Sequence, residues 1–221
     1  MRQQEKDTAS ELYDRLWKVK SARFNAANRL RRTHLLSSYS TNLLSVYIII
    51  LSVFPVFDFI ENESYIKILS FVTVCVSIIL LVFVLMESSM QYNLKSERFH
   101  DCGKKIDRLF KKFEFVKENK EIDEEERFKQ YYKIQKKYDK IIELHENHNP
   151  IDFYFFQAIQ KQKKYGVQKK EILFIKRFEY DTACLKRSYM IMKYNHLIYI
   201  HYYFVIFILP ILTTYLVLKL K

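Results

Sequence analysis

Two apolar runs without a single charge, residues 39–57 and 68–86, constrain most tightly what this chain can fold into. Each is close to the ~20 residues that carry a helix at 1.5 Å per residue across a hydrocarbon core. In water they would expose more apolar area than a soluble surface tolerates. The connector carries Asp58, Glu61 and Glu63 against a single Lys67, whereas Arg29, Arg31 and Arg32 stand just before the first run. Cytoplasmic flanks collect arginine and lysine, so the order basic flank, span, acidic connector, span predicts a two-span hairpin with both ends in the cytoplasm.

The rest of the chain also reads as helix. Among 221 residues there are two glycines and three prolines, too few for a fold built on tight hairpins or phosphate-cradling loops. The fold class predicted is all-α. The net charge of +12 fits nucleic acid, an anionic membrane surface, or the cytoplasmic side of a membrane protein, and positive-inside bias alone accounts for most of it. The three cysteines, Cys75, Cys102 and Cys184, are widely spaced and odd in number, so neither a disulfide framework nor a metal site is predicted. The first apolar run follows a long charged stretch and no small-residue cleavage site follows it, so it is expected to stay in the mature protein.

Along the chain, residues 1–38 read as a cytoplasmic amphipathic helix in which Leu12, Leu16, Val19, Arg23, Ala26, Ala27 and Leu30 recur at three- and four-residue steps, with Trp17 beside the stripe. Residues 39–87 form the hairpin. Residues 88–195 form a cytoplasmic helical region. There Phe99, Cys102, Ile106, Leu109, Phe113 and Val116 make one stripe, and Phe128, Tyr131, Tyr138, Ile141 and His145 make a second. Acidic residues 123–126 open the second helix, and Asn149-Pro150 is expected to close it. Lys161 to Lys170, with Gly166 inside, reads as a break before a further amphipathic helix through Ile175, Phe178, Thr182, Leu185, Tyr189 and Met192. Residues 196–221 hold a third apolar run, 197–218, interrupted by His201 and Pro210. Its length predicts a third span, with a re-entrant or interfacial helix as the alternative.

No glycine-rich phosphate loop, paired-cysteine spacing, HExxH or GxSxG is present, so no enzyme, catalytic residue or cofactor is predicted. His145 and His148 lie near Glu143 and Glu146; such a pair can hold a metal but more often marks a polar helix end. His201 is an intramembrane ionisable group that can also snorkel. The spans carry a clearer pattern: Ser38, Ser45 and Ser52 share one helix face, and Ser70, Thr73 and Ser77 share another. Such faces either pack helices closely or line a water-filled path in an oligomer. The basic runs Lys104, Lys105, Lys111, Lys112 and Lys161, Lys163, Lys164, Lys169, Lys170 read first as solvated faces, next as headgroup contacts, and last as nucleic-acid binding, without an RNA-binding signature.

The order of parts carries a resemblance. KVKSARFNAANRLRR leads into the hairpin, ESSMQYNLKSERFHDCGKKIDRLF follows it, and YDKIIELHENHNPIDF comes later. This resembles the SLATT family, two-transmembrane effector domains associated with bacterial nucleotide-signalling and nucleotide-sensing modules, and within it the subgroup encoded beside reverse transcriptases. Glu87, Tyr92, Glu146, Asn147, His148 and Asp152 are the matching positions. The resemblance implies a homo-oligomeric antiphage effector of the bacterial inner membrane. A reverse transcriptase or a nucleotide-producing or -sensing partner would trigger it to form a pore, with abortive infection as the outcome. The rival reading is a non-conducting membrane anchor for such an enzyme.

Overall fold

The computed structural model describes residues 2–53, 63–168, 174–208, 211 and 215, with side chains apart from 2–6, 161–168 and 174–183. The chain is all-α, with no strand among the described residues. Its helices are α1 (Arg2–Val53), α2 (Glu63–Ser89), α3 (Tyr92–Glu118), α4 (Glu124–Glu143), α5 (Pro150–Gln168) and α6 (Phe174–Asn195). A 3-10 turn (Leu197–Tyr199), the single turn α7 (Ile200–Tyr203) and a π turn (Phe204–Ile208) follow. Two compact units emerge from the contacts: Met1–Leu30 with Asn93–Asn195, and Arg31–Tyr92 with His196–Lys221.

The first unit is a water-type helical core. Leu12 and Leu16 of α1 pack with Cys102, Ile106, Leu109, Phe110, Phe113 and Val116 of α3 and with Tyr131, Ile134 and Tyr138 of α4. All but Phe110 and Ile134 belong to the predicted stripes, Phe128 and Ile141 of the second stripe are only partly buried against this core, and the three/four spacing is what brings one face of each helix to a shared interior. Phe113 stacks on Tyr131 with centroids 4.4 Å apart. Ala22, Ala26 and Ala27 are buried in the N-terminal half of α1. Ser96 of α3 donates to the Ala27 carbonyl at 2.8 Å. Gly103 sits against the Phe24 ring, where an added Cβ would lie 3.0 Å from a ring carbon.

Local chemistry sets the helix ends. Asp123 is extended at the head of α4, and Glu124, Glu125 and Glu126 fill its first turn, as predicted. Arg127 donates to the Asn119 and Ile122 carbonyls and so ties the α3–α4 turn. Asn149 and Pro150 do not close α4, which ends at Glu143; they open α5. The Asn149 side chain accepts from the Ile151 N–H at 3.1 Å, and proline at the first helical position gives up an N–H that has no intrahelical partner there. The expected break does not fall within 161–168. α5 runs on through Gly166 to Gln168, since one glycine costs a helix only ~1 kcal/mol; residues 169 and 170 lie outside the described set.

On α6 the expected apolar stripe faces outward as far as it is described: Leu185, Tyr189 and Met192 are exposed. Tyr194 is the buried residue instead, stacked 3.8 Å from Phe155 of α5. Ile175, Phe178 and Thr182 lie outside the described side chains.

The second unit contains the membrane hairpin. α1 and the helix that begins at Glu63 each hold a stretch long and apolar enough to cross a bilayer, and only 11% and 6% of the most apolar windows are buried. A soluble core helix would be largely covered; these present their apolar side chains outward, as lipid-facing helices do. α2 stops at Ser89, and Gln91 takes a positive φ of 50° before α3 begins. The described part of the third apolar run is the succession of short turns ending at Ile208, with its tip largely outside the described residues.

Candidate functional site

Two polar clusters grip α1, one in each unit, and they account for most of the matched family positions. In the first unit the α4–α5 connection is fastened to α1. Arg29 holds Asp152 through two bonds, Nε to Oδ1 at 2.8 Å and an Nη to Oδ2 at 3.0 Å. Asp152 is fully buried in the first turn of α5, where the helix dipole also favours its charge. Asn25 donates its side-chain amide to the Asp152 carbonyl at 3.1 Å and accepts at its own carbonyl from the Tyr194 hydroxyl. Arg23 donates to the Glu146 carbonyl.

The electrostatics of this cluster are lopsided. Arg23 is only 1% exposed, its Nε has no hydrogen-bond partner, and no carboxylate pairs with it among the described residues. Burial lowers the guanidinium's pKa below its usual range. His148 lies close by with its Nδ1 buried and without a partner. Burial first, and then the charge of Arg23, push its pKa below 6.5, against the opposing pull of Asp152. The imidazole is therefore neutral at neutral pH. Burial raises the pKa of the Cys102 thiol, leaving it a packing residue without nucleophilic character. Lys20 bonds Asp107 at 2.9 Å and holds its pKa below the carboxylate range.

In the second unit Glu87, at the end of α2, accepts from the Ser37 hydroxyl of α1 at 2.5 Å and from the Tyr202 hydroxyl of α7 at 2.9 Å. Arg32 of α1 donates to the Tyr203 hydroxyl at 2.9 Å and lies over the Tyr199 ring at 5.0 Å. The C-terminal segment is thus tied to the hairpin by one carboxylate and one guanidinium. His201 rests against the Tyr202 ring and is exposed.

The hydroxyl residues of the spans turn inward on their own helices. Ser45 donates to the Thr41 carbonyl, Ser52 to Ile49, Thr73 to Leu69 and Ser77 to Thr73, all at 2.7–2.9 Å. Thr73 is buried, Ser38, Ser45 and Ser77 are half-buried, and Ser52 and Ser70 are exposed. A second hydroxyl face on α1, Thr33, Ser37 and Ser40, is buried more completely.

Of the six matched positions, Glu87, Glu146, His148 and Asp152 enter these clusters, Glu146 through its backbone. Tyr92 is half-buried at the head of α3, and Asn147 is exposed. Arg29 and Arg32, flanking charges by their place in the sequence, both have specific partners; Arg29 alone carried a clue, lying at i+7 and i+3 from the buried Ala22 and Ala26. Among the described residues no three His, Cys, Asp or Glu side chains gather at metal-binding distance.

The family model of the SMODS and SLOG-associating 2TM effector domain family 5 matches residues 5–216, and the chain belongs to that family. No curated protein and no solved structure matches it.

Proposed function

We propose that this member of a two-transmembrane effector family is a bacterial antiphage defence effector that oligomerises in the inner membrane and breaches it when a partner module signals infection. The observation carrying the reading is α2. It buries only Thr73, while Val72 and Leu81, nine residues apart and so on opposite faces, are 44% and 60% exposed. A helix apolar all round requires lipid on one side and leaves room for further copies on the other. Ser45, Ser52, Ser70, Thr73 and Ser77 are the candidate pore-lining or packing residues. The proposed orientation places the N-terminus and the helical body in the cytoplasm, with the acidic connector outside. No catalytic role is proposed for any residue.

Induced expression is expected to collapse membrane potential and arrest growth. Replacing Ser45, Ser52 and Ser77 together by Leu should relieve toxicity at unchanged protein level; if the triple variant stays toxic, those hydroxyls pack helices and conduct nothing. The second reading is a non-conducting anchor for a defence enzyme such as a reverse transcriptase. It draws support from hydroxyls that are satisfied within their own helices and so need no water. A stable pull-down of a neighbouring enzyme without dye leakage would favour the anchor.

A further inference from the structure

We propose that the cleft between the start of α3 and the α4–α5 connection binds a small phosphate-bearing anion. The cleft has a volume of about 350 Å³ and is lined by Lys95, Arg98, Phe99, Leu144, His145 and Glu146. That lies at the small end of ligand pockets, enough for a phosphate or pyrophosphate group with a compact organic portion.

Charge identifies the ligand class. Lys95 and Arg98 lie three residues apart, hence on one face of α3, and neither has an ion-pair or hydrogen-bond partner among the described residues. Behind them Arg23 borders the same wall: its guanidinium lies 5.3 Å over the Phe99 ring and donates to the carbonyl of Glu146. It is more than nine-tenths buried, and among the described residues it has no carboxylate partner and its Nε no hydrogen-bond partner. A buried cation is ordinarily paired. Two cations without an ion pair among the described residues therefore line the opening, and a third lies behind its Phe99 wall, against the single lining carboxylate of Glu146. Arginine and lysine together suit phosphate oxygens, arginine by its fork and lysine as a point charge. His145 holds its Nδ1 2.7 Å from the Ile141 carbonyl, which leaves Nε2 as the ring's other polar atom. Leu144 is 72% exposed in an otherwise polar connection, an apolar contact for the organic part of the ligand.

A soluble phosphate ester and a phospholipid headgroup present the same chemistry, and the experiment separates them. The full chain in neutral detergent is titrated with pyrophosphate by calorimetry. In parallel it is placed in nanodiscs of phosphatidylcholine with or without phosphatidylglycerol, and its melting is followed. Saturable pyrophosphate binding, weakened roughly tenfold or more in Lys95→Gln/Arg98→Gln, supports the site with a soluble ligand. Stabilisation by phosphatidylglycerol alone, lost in the same variant, supports it with a headgroup. Both side chains are outside the core, so the variant should keep its helicity. Glu146→Gln is expected to tighten binding by removing the opposing carboxylate. Absence of binding in both arms, or equal binding by wild type and the double variant, overturns the site. The outcome is independent of whether the membrane is breached.

Discussion

Asp152 and His148 show how strongly individual side chains can be held without any catalytic role. Asp152 is a buried carboxylate with two bonds from one guanidinium, so removing one partner is worse than removing both. Asp152→Ala is expected to cost about 3–5 kcal/mol in denaturant unfolding of the solubilised chain, and Arg29→Met/Asp152→Leu to recover much of it. His148 has a folded pKa below 6.5, so folding favours its neutral form. That contribution is fully present above pH 6.5 and is lost as pH falls through 6.5 toward the folded pKa. Melting should therefore fall between about pH 7.5 and about pH 5.5, and His148→Gln should flatten that slope. A slope unchanged in the variant would assign the pH dependence to another group.

Between elements, close approach and polar ties do separate jobs. Gly103 lets α3 meet Phe24 of α1, and a branched side chain there would overpack the contact. Gly103→Val should destabilise by about 1–3 kcal/mol, with partial rescue by Phe24→Leu, as read by thermal melts. Glu87 ties α1, α2 and α7 by accepting two hydroxyl bonds. Glu87→Ala strands both donors and should cost about 1–3 kcal/mol, whereas Glu87→Gln keeps an acceptor oxygen and should cost less. If Tyr202→Phe adds its full effect to Glu87→Ala in a double-mutant cycle, the two residues are not coupled.

For the whole molecule, the decisive interaction is with lipid. Exposed apolar windows on α1 and α2 make this an integral membrane protein, so alkaline carbonate should leave it in the membrane pellet and only detergent should release it. Release by carbonate would mean that the hairpin lies on the bilayer. The net charge of +12 does not translate into a uniform basic surface: Lys20, Arg23, Arg29 and Arg32 are engaged by Asp107, the Glu146 carbonyl, Asp152 and Tyr203.

The helical class, the two spans and most of the buried stripes of α1, α3 and α4 are legible in the order of residues alone. Each depends on local periodicity or on segment hydropathy, and both are properties of neighbouring residues. The order of residues also marked Glu87, His148 and Asp152 by resemblance, without their partners. Long-range packing paired Arg29 with a carboxylate 123 positions away, brought Tyr202 to Glu87, left Arg23 buried without a carboxylate partner among the described residues and turned the described stripe of α6 outward. An arginine before a span and an arginine in a buried pair look alike in sequence. Which one forms depends on what distant chain segment folds against it, and no local pattern encodes that.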